Sequence, residues 1–94
     1  MRVVGAKTLH RFCQHHQEVE DQVKAWLAEA REATWQTTRD IKVRYASASF
    51  LSGNRVIFNL KGNKYRLLTM VTFKSQVVLV VKIGTHTEYD KWEL

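Results

Sequence analysis

The stretch Arg55-Val-Ile-Phe-Asn-Leu-Lys61-Gly-Asn-Lys64-Tyr-Arg66-Leu-Leu constrains this chain more than any other. Two β-rich runs flank Gly62-Asn63, the signal of an antiparallel hairpin with a two-residue turn. Pairing the runs across that turn sets Lys61 opposite Lys64, Leu60 opposite Tyr65, Asn59 opposite Arg66, Phe58 opposite Leu67 and Ile57 opposite Leu68. Alternation then divides the side chains between two faces. Val56, Phe58, Leu60, Tyr65 and Leu67 make one face apolar; Arg55, Asn59, Lys61, Lys64 and Arg66 make the other cationic. Like charges facing each other across a ladder destabilise it, so a polyanionic partner would give them a reason.

The layout of charge supports that reading. The formal net charge is +6. Residues 1–40 carry six basic and six acidic side chains, whereas Ile41 to Thr87 carries eight basic residues and no acid. Acids return at Glu88, Asp90 and Glu93. A surface that is merely solubilising mixes both signs; a one-sign sheet region points to a phosphate-rich partner. Ninety-four residues predict one domain, residues 1–94. No apolar run approaches the ~20 residues that span a bilayer, and Met1-Arg-Val-Val lacks the apolar core of a signal peptide. The one cysteine, Cys13, has no partner for an internal disulfide, which fits a reducing, cytoplasmic setting.

Along the chain, Arg2 to Val4 could form a short strand. Ala6, Leu9, Phe12 and Cys13 predict a first helix with a break near His15-His16-Gln17. Val19, Val23, Trp26, Leu27 and Ala30 make the core stripe of a second. Thr38 or Asp40 opens a short helical turn through Tyr45, and Ala46 to Asn54 reads as a loop anchored by Phe50 and Leu51. Beyond Arg55 the period changes from 3.6 to 2. A three-residue loop, Lys74-Ser-Gln76, would pair Phe73 with Val77, Val71 with Leu79 and Leu67 with Ile83. That register puts Val77, Leu79, Val81 and Ile83 on the apolar face and Lys82 and His86 beside Arg66 and Lys64. It also leaves Leu68, Met70, Val78 and Val80 on the cationic face, whose lower part must then be apolar and covered by another segment. The expectation is α+β: N-terminal helices packed on one face of a three- to four-stranded antiparallel sheet.

Chemistry concentrates in Gly84-Thr85-His86-Thr87-Glu88-Tyr89-Asp90-Lys91. A histidine moves protons near neutral pH, arginine and lysine hold phosphate and stabilise charge building on it, and tyrosine stacks on bases. These are the parts of RNA cleavage by side chains alone. The plain alternative is a C-terminal cap with His86 and Tyr89 merely hydrogen-bonded. His10, Cys13 and His16 share a helical side, but Cys13 lies in the apolar stripe and no second ligand group joins them, so they read as ordinary helix residues rather than a metal site. Trp26, Trp35 and Trp92 read as packing residues.

Two helices, the strand Arg55-Val-Ile-Phe-Asn-Leu, then Gly62-Asn63-Lys64-Tyr65-Arg66-Leu67 and Gly84-Thr85-His86-Thr87-Glu88-Tyr89-Asp90-Lys91 together resemble the HigB branch of the RelE-type bacterial toxins. The resemblance runs essentially end to end and includes Ser47-Ala-Ser-Phe50. It implies the toxin of a type II toxin–antitoxin pair, a RelE-like fold, and cleavage of mRNA in the ribosomal A site without a metal or other cofactor. The implied partner is a HigA-type antitoxin, whose helix-turn-helix domain takes the complex to operator DNA. By position, Arg66 corresponds to the family's strand arginine on the scissile phosphate and His86 to a catalytic basic residue. Glu88 and Tyr89 are supporting catalytic candidates, while Arg55, Asn59, Lys61, Lys64 and Lys82 are candidate RNA contacts. Two competing readings use the same scaffold without catalysis: binding of RNA or ribosome, and poisoning of DNA gyrase. A third confines the chain to operator binding through its antitoxin.

Overall fold

The computed structural model describes residues 1–94. The elements run β1 (Arg2–Val4), α1 (Ala6–His15), a 3₁₀ turn (Gln17–Val19), α2 (Glu20–Glu32), α3 (Thr38–Arg44), β2 (Ser49–Leu51), β3 (Arg55–Leu60), β4 (Tyr65–Thr72), β5 (Val77–Thr85) and α4 (His86–Tyr89). The α+β architecture expected from the sequence is present. The sheet, however, has five strands in the order β1-β5-β4-β3-β2 and is mixed, because β1 pairs parallel to β5. The predicted loop at 46–54 contains the fifth strand: Ser49, Phe50 and Leu51 pair with Ile57, Val56 and Arg55.

Both helical stripes face the sheet. Leu9 and Cys13 of α1, Val19, and Val23, Trp26, Leu27 and Ala30 of α2 are buried against Val56, Phe58, Leu60, Tyr65, Leu67, Val71, Val78 and Val80. Phe58 is the hub of this core. Its ring meets Trp26 edge-on at 5.3 Å, Tyr45 edge-on at 5.1 Å and Trp35 in a stacked arrangement at 6.2 Å. Such pairs add roughly 0.5–1.5 kcal/mol each beyond area burial. Helix α3 starts with a capping box in which Asp40 accepts from the Thr37 backbone. At the junction of α2 and α3, Tyr45 donates to Glu29 at 2.7 Å and Arg44 pairs with the same carboxylate.

The hairpin register is as read from the sequence from Ile57–Leu68 through Leu60–Tyr65. Its turn is not: the strands stop at Leu60 and Tyr65, leaving a four-residue connection in which Lys61 (φ 50°) and Gly62 (φ 64°) are left-handed. Lys61 therefore leaves the cationic face, and its Nζ donates to the Glu18 carbonyl at 2.9 Å on the helical side. The repulsion between Lys61 and Lys64 inferred from the sequence is thereby relieved.

The second hairpin corrects the register more deeply. Leu67 pairs with Ile83 as expected, but Val71 pairs with Val78, and a β-bulge lies between Leu68 and Thr69 on β4, with Val81 the extra residue on β5. Val78 and Val80 consequently face the helices and are buried, while Leu79 and Val81 are exposed. Past the bulge the parity reverses, so Ile83 packs on the core and Lys82 and Gly84 share the open face with Arg66 and Leu68. Of the four apolar residues expected to be covered on that face, only Leu68 is buried there, beside Ile57; Met70 is exposed, and Val78 and Val80 belong to the core instead.

Candidate active site on the open face

Strand β4 presents Arg66, and β5 delivers the chain into α4 directly beside it, because Arg66 pairs with Gly84 and the His86 N–H donates to the Lys64 carbonyl at 2.8 Å. Helix α4 begins at His86 through a second capping box. The Glu88 N–H donates to Thr85 Oγ1 at 3.2 Å, and the Glu88 carboxylate accepts from the Thr85 N–H at 2.9 Å. Thr85-His-Thr-Glu88 is the S/T-x-x-E pattern of such a box, so the sequence carried a signal that His86 opens a helix rather than extending the strand.

Four contacts hold the Arg66 guanidinium, the weakest a long donation from Nη1 to the Tyr65 carbonyl at 3.5 Å. Its Nη1 donates to the Asn63 carbonyl at 2.6 Å, its Nη2 lies 3.2 Å from His86 Nδ1, and its centre sits 5.1 Å from the Tyr89 ring. A guanidinium N–H can only donate, so the neutral imidazole presents its lone pair at Nδ1 and carries its proton on Nε2. Asp90 Oδ2 stands 3.6 Å from that nitrogen, one helical turn along α4. The five N–H donors of arginine exceed the contacts made here, and on this face His86 is exposed and Arg66 half-buried. The C-terminal segment closes the site's edge. Trp92 meets Tyr89 edge-on at 5.5 Å, carries the Lys82 ammonium at 5.3 Å from its ring, and sits where a Cβ on Gly84 would come within 2.9 Å of it.

Of the candidate residues, the structure brings together Arg66, His86, Tyr89 and Glu88, with Lys82 adjacent. Lys64 is exposed at the turn and takes part through its carbonyl. Three others lie apart. Lys61 is held by Glu18. Arg55 donates from Nε to the Ser52 carbonyl at 2.9 Å and from Nη1 to the Leu94 carbonyl at 2.8 Å. Asn59 donates to the Ser47 carbonyl at 3.0 Å. Sequence reasoning missed Asp90 and Trp92 as members of the site. Asp90, four residues after His86, is the C-cap of α4, and Trp92, three after Tyr89, lies in the turn just beyond it, its N–H donating to the Tyr89 carbonyl at 3.0 Å. Elsewhere, His16 stacks on Phe12 at 4.1 Å, and burial pushes the Cys13 thiol up, which disfavours the thiolate a metal would take.

A family model described as HigB_toxin, the RelE-like toxic component of a toxin-antitoxin system, matches residues 19–92, well over half of the chain. This chain belongs to the HigB toxin family. The match runs from the end of the 3₁₀ turn to Trp92 and so contains every residue of the cluster. As the toxic component of a toxin–antitoxin system, this HigB-family protein has an antitoxin as its partner. No curated protein matches the chain. No helix of this HigB-family toxin is long and apolar enough to cross a membrane.

Proposed function

We propose that this HigB-family toxin, on a RelE-like scaffold, is an endoribonuclease that cuts mRNA on the translating ribosome in the cytoplasm, and that a HigA-type helix-turn-helix antitoxin restrains it. The observation that carries the reading is the Arg66–His86 contact over Tyr89, because it couples a fixed cation to a proton-transfer group at one exposed point. In the reaction, the 2′-oxygen forms a bond to the adjacent phosphorus as the bond from phosphorus to the 5′-oxygen breaks. The 2′-hydroxyl proton leaves to a base, and the 5′-oxygen takes up a proton, giving a 2′,3′-cyclic phosphate and a 5′-hydroxyl.

Arg66 stabilises charge on the equatorial phosphate oxygens. As it turns toward phosphate, Nδ1 of His86 is released to move a proton. Tyr89, already a platform for a guanidinium, offers a face to a base. Glu88 acts through the helix start it caps. Lys82 and Lys64 supply phosphate contacts on either side. Arg55, Asn59 and Lys61 act by holding the C-terminal segment, the turn at Ser47 before β2 and the hairpin turn.

The test is brief induction without the antitoxin, followed by mapping of new 5′ ends on translated and untranslated copies of one mRNA. Cuts confined to the translated copy, in phase with codons and absent in His86→Ala, are the expected result. Cuts on both copies would replace ribosome dependence with free RNA cleavage. Growth arrest without new ends would remove the nuclease and leave RNA binding or gyrase poisoning.

A further inference from the structure

The open face has a second region that the cleavage chemistry does not use. Five large apolar side chains are exposed in this protein, and three of them, Met70 (40%), Leu79 (39%) and Val81 (39%), fall together on β4 and β5. Met70 and Leu79 are direct register partners, and Leu79 also pairs with Val4 of β1. A row of apolar side chains thus crosses three strands without a cover. The bulge creates it: without the extra residue, Leu79 would share the parity of Ile83 and turn toward the helices. The row ends at Arg55, the partner of Met70 on β3, with Arg2 two residues before Val4 on β1 and Lys82 one residue past Val81. No acid occurs between Ile41 and Thr87.

We infer that this row is the docking surface for an acidic segment of the antitoxin that also bears apolar side chains. The chemistry selects the occupant. An apolar row flanked by cations rewards a partner that covers carbon surface and brings carboxylates to Arg2 and Lys82, Arg55 being held by the Ser52 and Leu94 carbonyls. A second copy of this chain fits poorly, because each copy carries a net +6 and would set one cationic face against another. From Met70 to Arg66 the distance along β4 is four residues, about 13 Å at strand rise. A segment seated on the row therefore reaches the Arg66–His86 pair with only about four extended residues or two to three helical turns, and its acids would occupy the phosphate position. The inference rests on membership of a toxin–antitoxin family and stands or falls apart from the nuclease reading.

The experiment measures binding of the purified toxin to its co-expressed antitoxin, together with growth inhibition with and without that antitoxin. In Met70→Glu and Leu79→Glu, carboxylates face the acidic segment. Each should weaken binding at least tenfold and abolish rescue by the antitoxin, while growth inhibition in its absence stays at the wild-type level. Should a Glu variant fail to fold by circular dichroism, Met70→Gln and Leu79→Gln remove the apolar contact without adding charge and should weaken binding at least threefold. Val43→Glu, on α3 and away from this face, should bind as wild type. Wild-type affinity and full rescue in the folded Glu or Gln variants would overturn the inference. So would loss of binding in Val43→Glu alone. A change confined to self-association of the toxin would assign the row to a second copy instead and overturn it equally.

Discussion

On the helix-covered face of the sheet, Val56, Phe58, Leu67, Val71 and Val78 touch almost no water, whereas on the opposite face Lys82 is exposed and Asn59 and Arg66 keep part of theirs. Both faces come from the same three strands. The covered face depends on volume; its buried Thr69 donates locally to the Val56 carbonyl at 2.9 Å, and the buried indole N–H of Trp26 has no partner. The open face depends on named partners: carbonyls, an imidazole and a phenol ring around one guanidinium. Changes to the first should therefore alter stability, and changes to the second should alter chemistry, with little exchange between the two.

The strongest way to break this comparison is Phe58→Ala. Phe58 touches Trp26, Trp35 and Tyr45 at once, and the truncation should cost about 3–5 kcal/mol, a large share of the 5–15 kcal/mol typical of a domain. A urea midpoint that barely moved would show that the covered face is not one packed unit. Arg66→Ala and His86→Ala test the other side. Each should lower the rate of mRNA cutting by about 10²–10⁴-fold and change unfolding free energy by less than about 0.5 kcal/mol. Full activity in both variants would dissolve the site. Gly84 lies between the two regimes, because a Cβ there would meet Trp92 at 2.9 Å and the Glu88 side chain at 3.2 Å. Gly84→Ala should cost about 1–3 kcal/mol and shift Trp92 emission to the red. An unchanged spectrum would mean that the C-terminal segment does not rest on β5.

The smallest effect belongs to the helical layer. The Tyr45 hydrogen bond, with Arg44 beside it, holds the Glu29 carboxyl below its usual range, while burial and Glu29 hold the Tyr45 phenol well above its own. A depressed carboxyl stabilises the fold above its unfolded pKa and loses that contribution as pH falls through the folded value. A raised phenol stabilises below its unfolded pKa and loses it as pH rises. Unfolding free energy should therefore decline below roughly pH 4 and above roughly pH 10. In Tyr45→Phe the alkaline decline should disappear and the acid one should shrink; a profile identical to wild type would remove this pair from the pH response.

Much of the covered face was legible in advance, because helical stripes and the first hairpin obey fixed periods: Val23 to Ala30 and Phe58–Leu67 fell where alternation put them. The second hairpin did not. Val77 to Val81 are five valines and leucines in a row, so neither parity is marked, and a bulge leaves no trace in such a run. Ser49–Leu51 is a strand only because β3 offers it an edge, a tertiary reason absent from its own three residues. In the site, Arg66 and His86 were placed by register and family pattern, whereas Asp90 and Trp92 depend on α4 and on the return of the chain across Gly84.

The sheet stops at both sides in strands of three residues, β1 and β2. An exposed strand edge is an open row of backbone donors and acceptors, and a long one recruits other chains into aggregates. Here each border is only three residues long and offers few groups for such pairing. A toxin acts only after its restraint is gone, at the moment when nothing shields its surface. Short borders keep the two edges of this sheet from serving as templates through that interval.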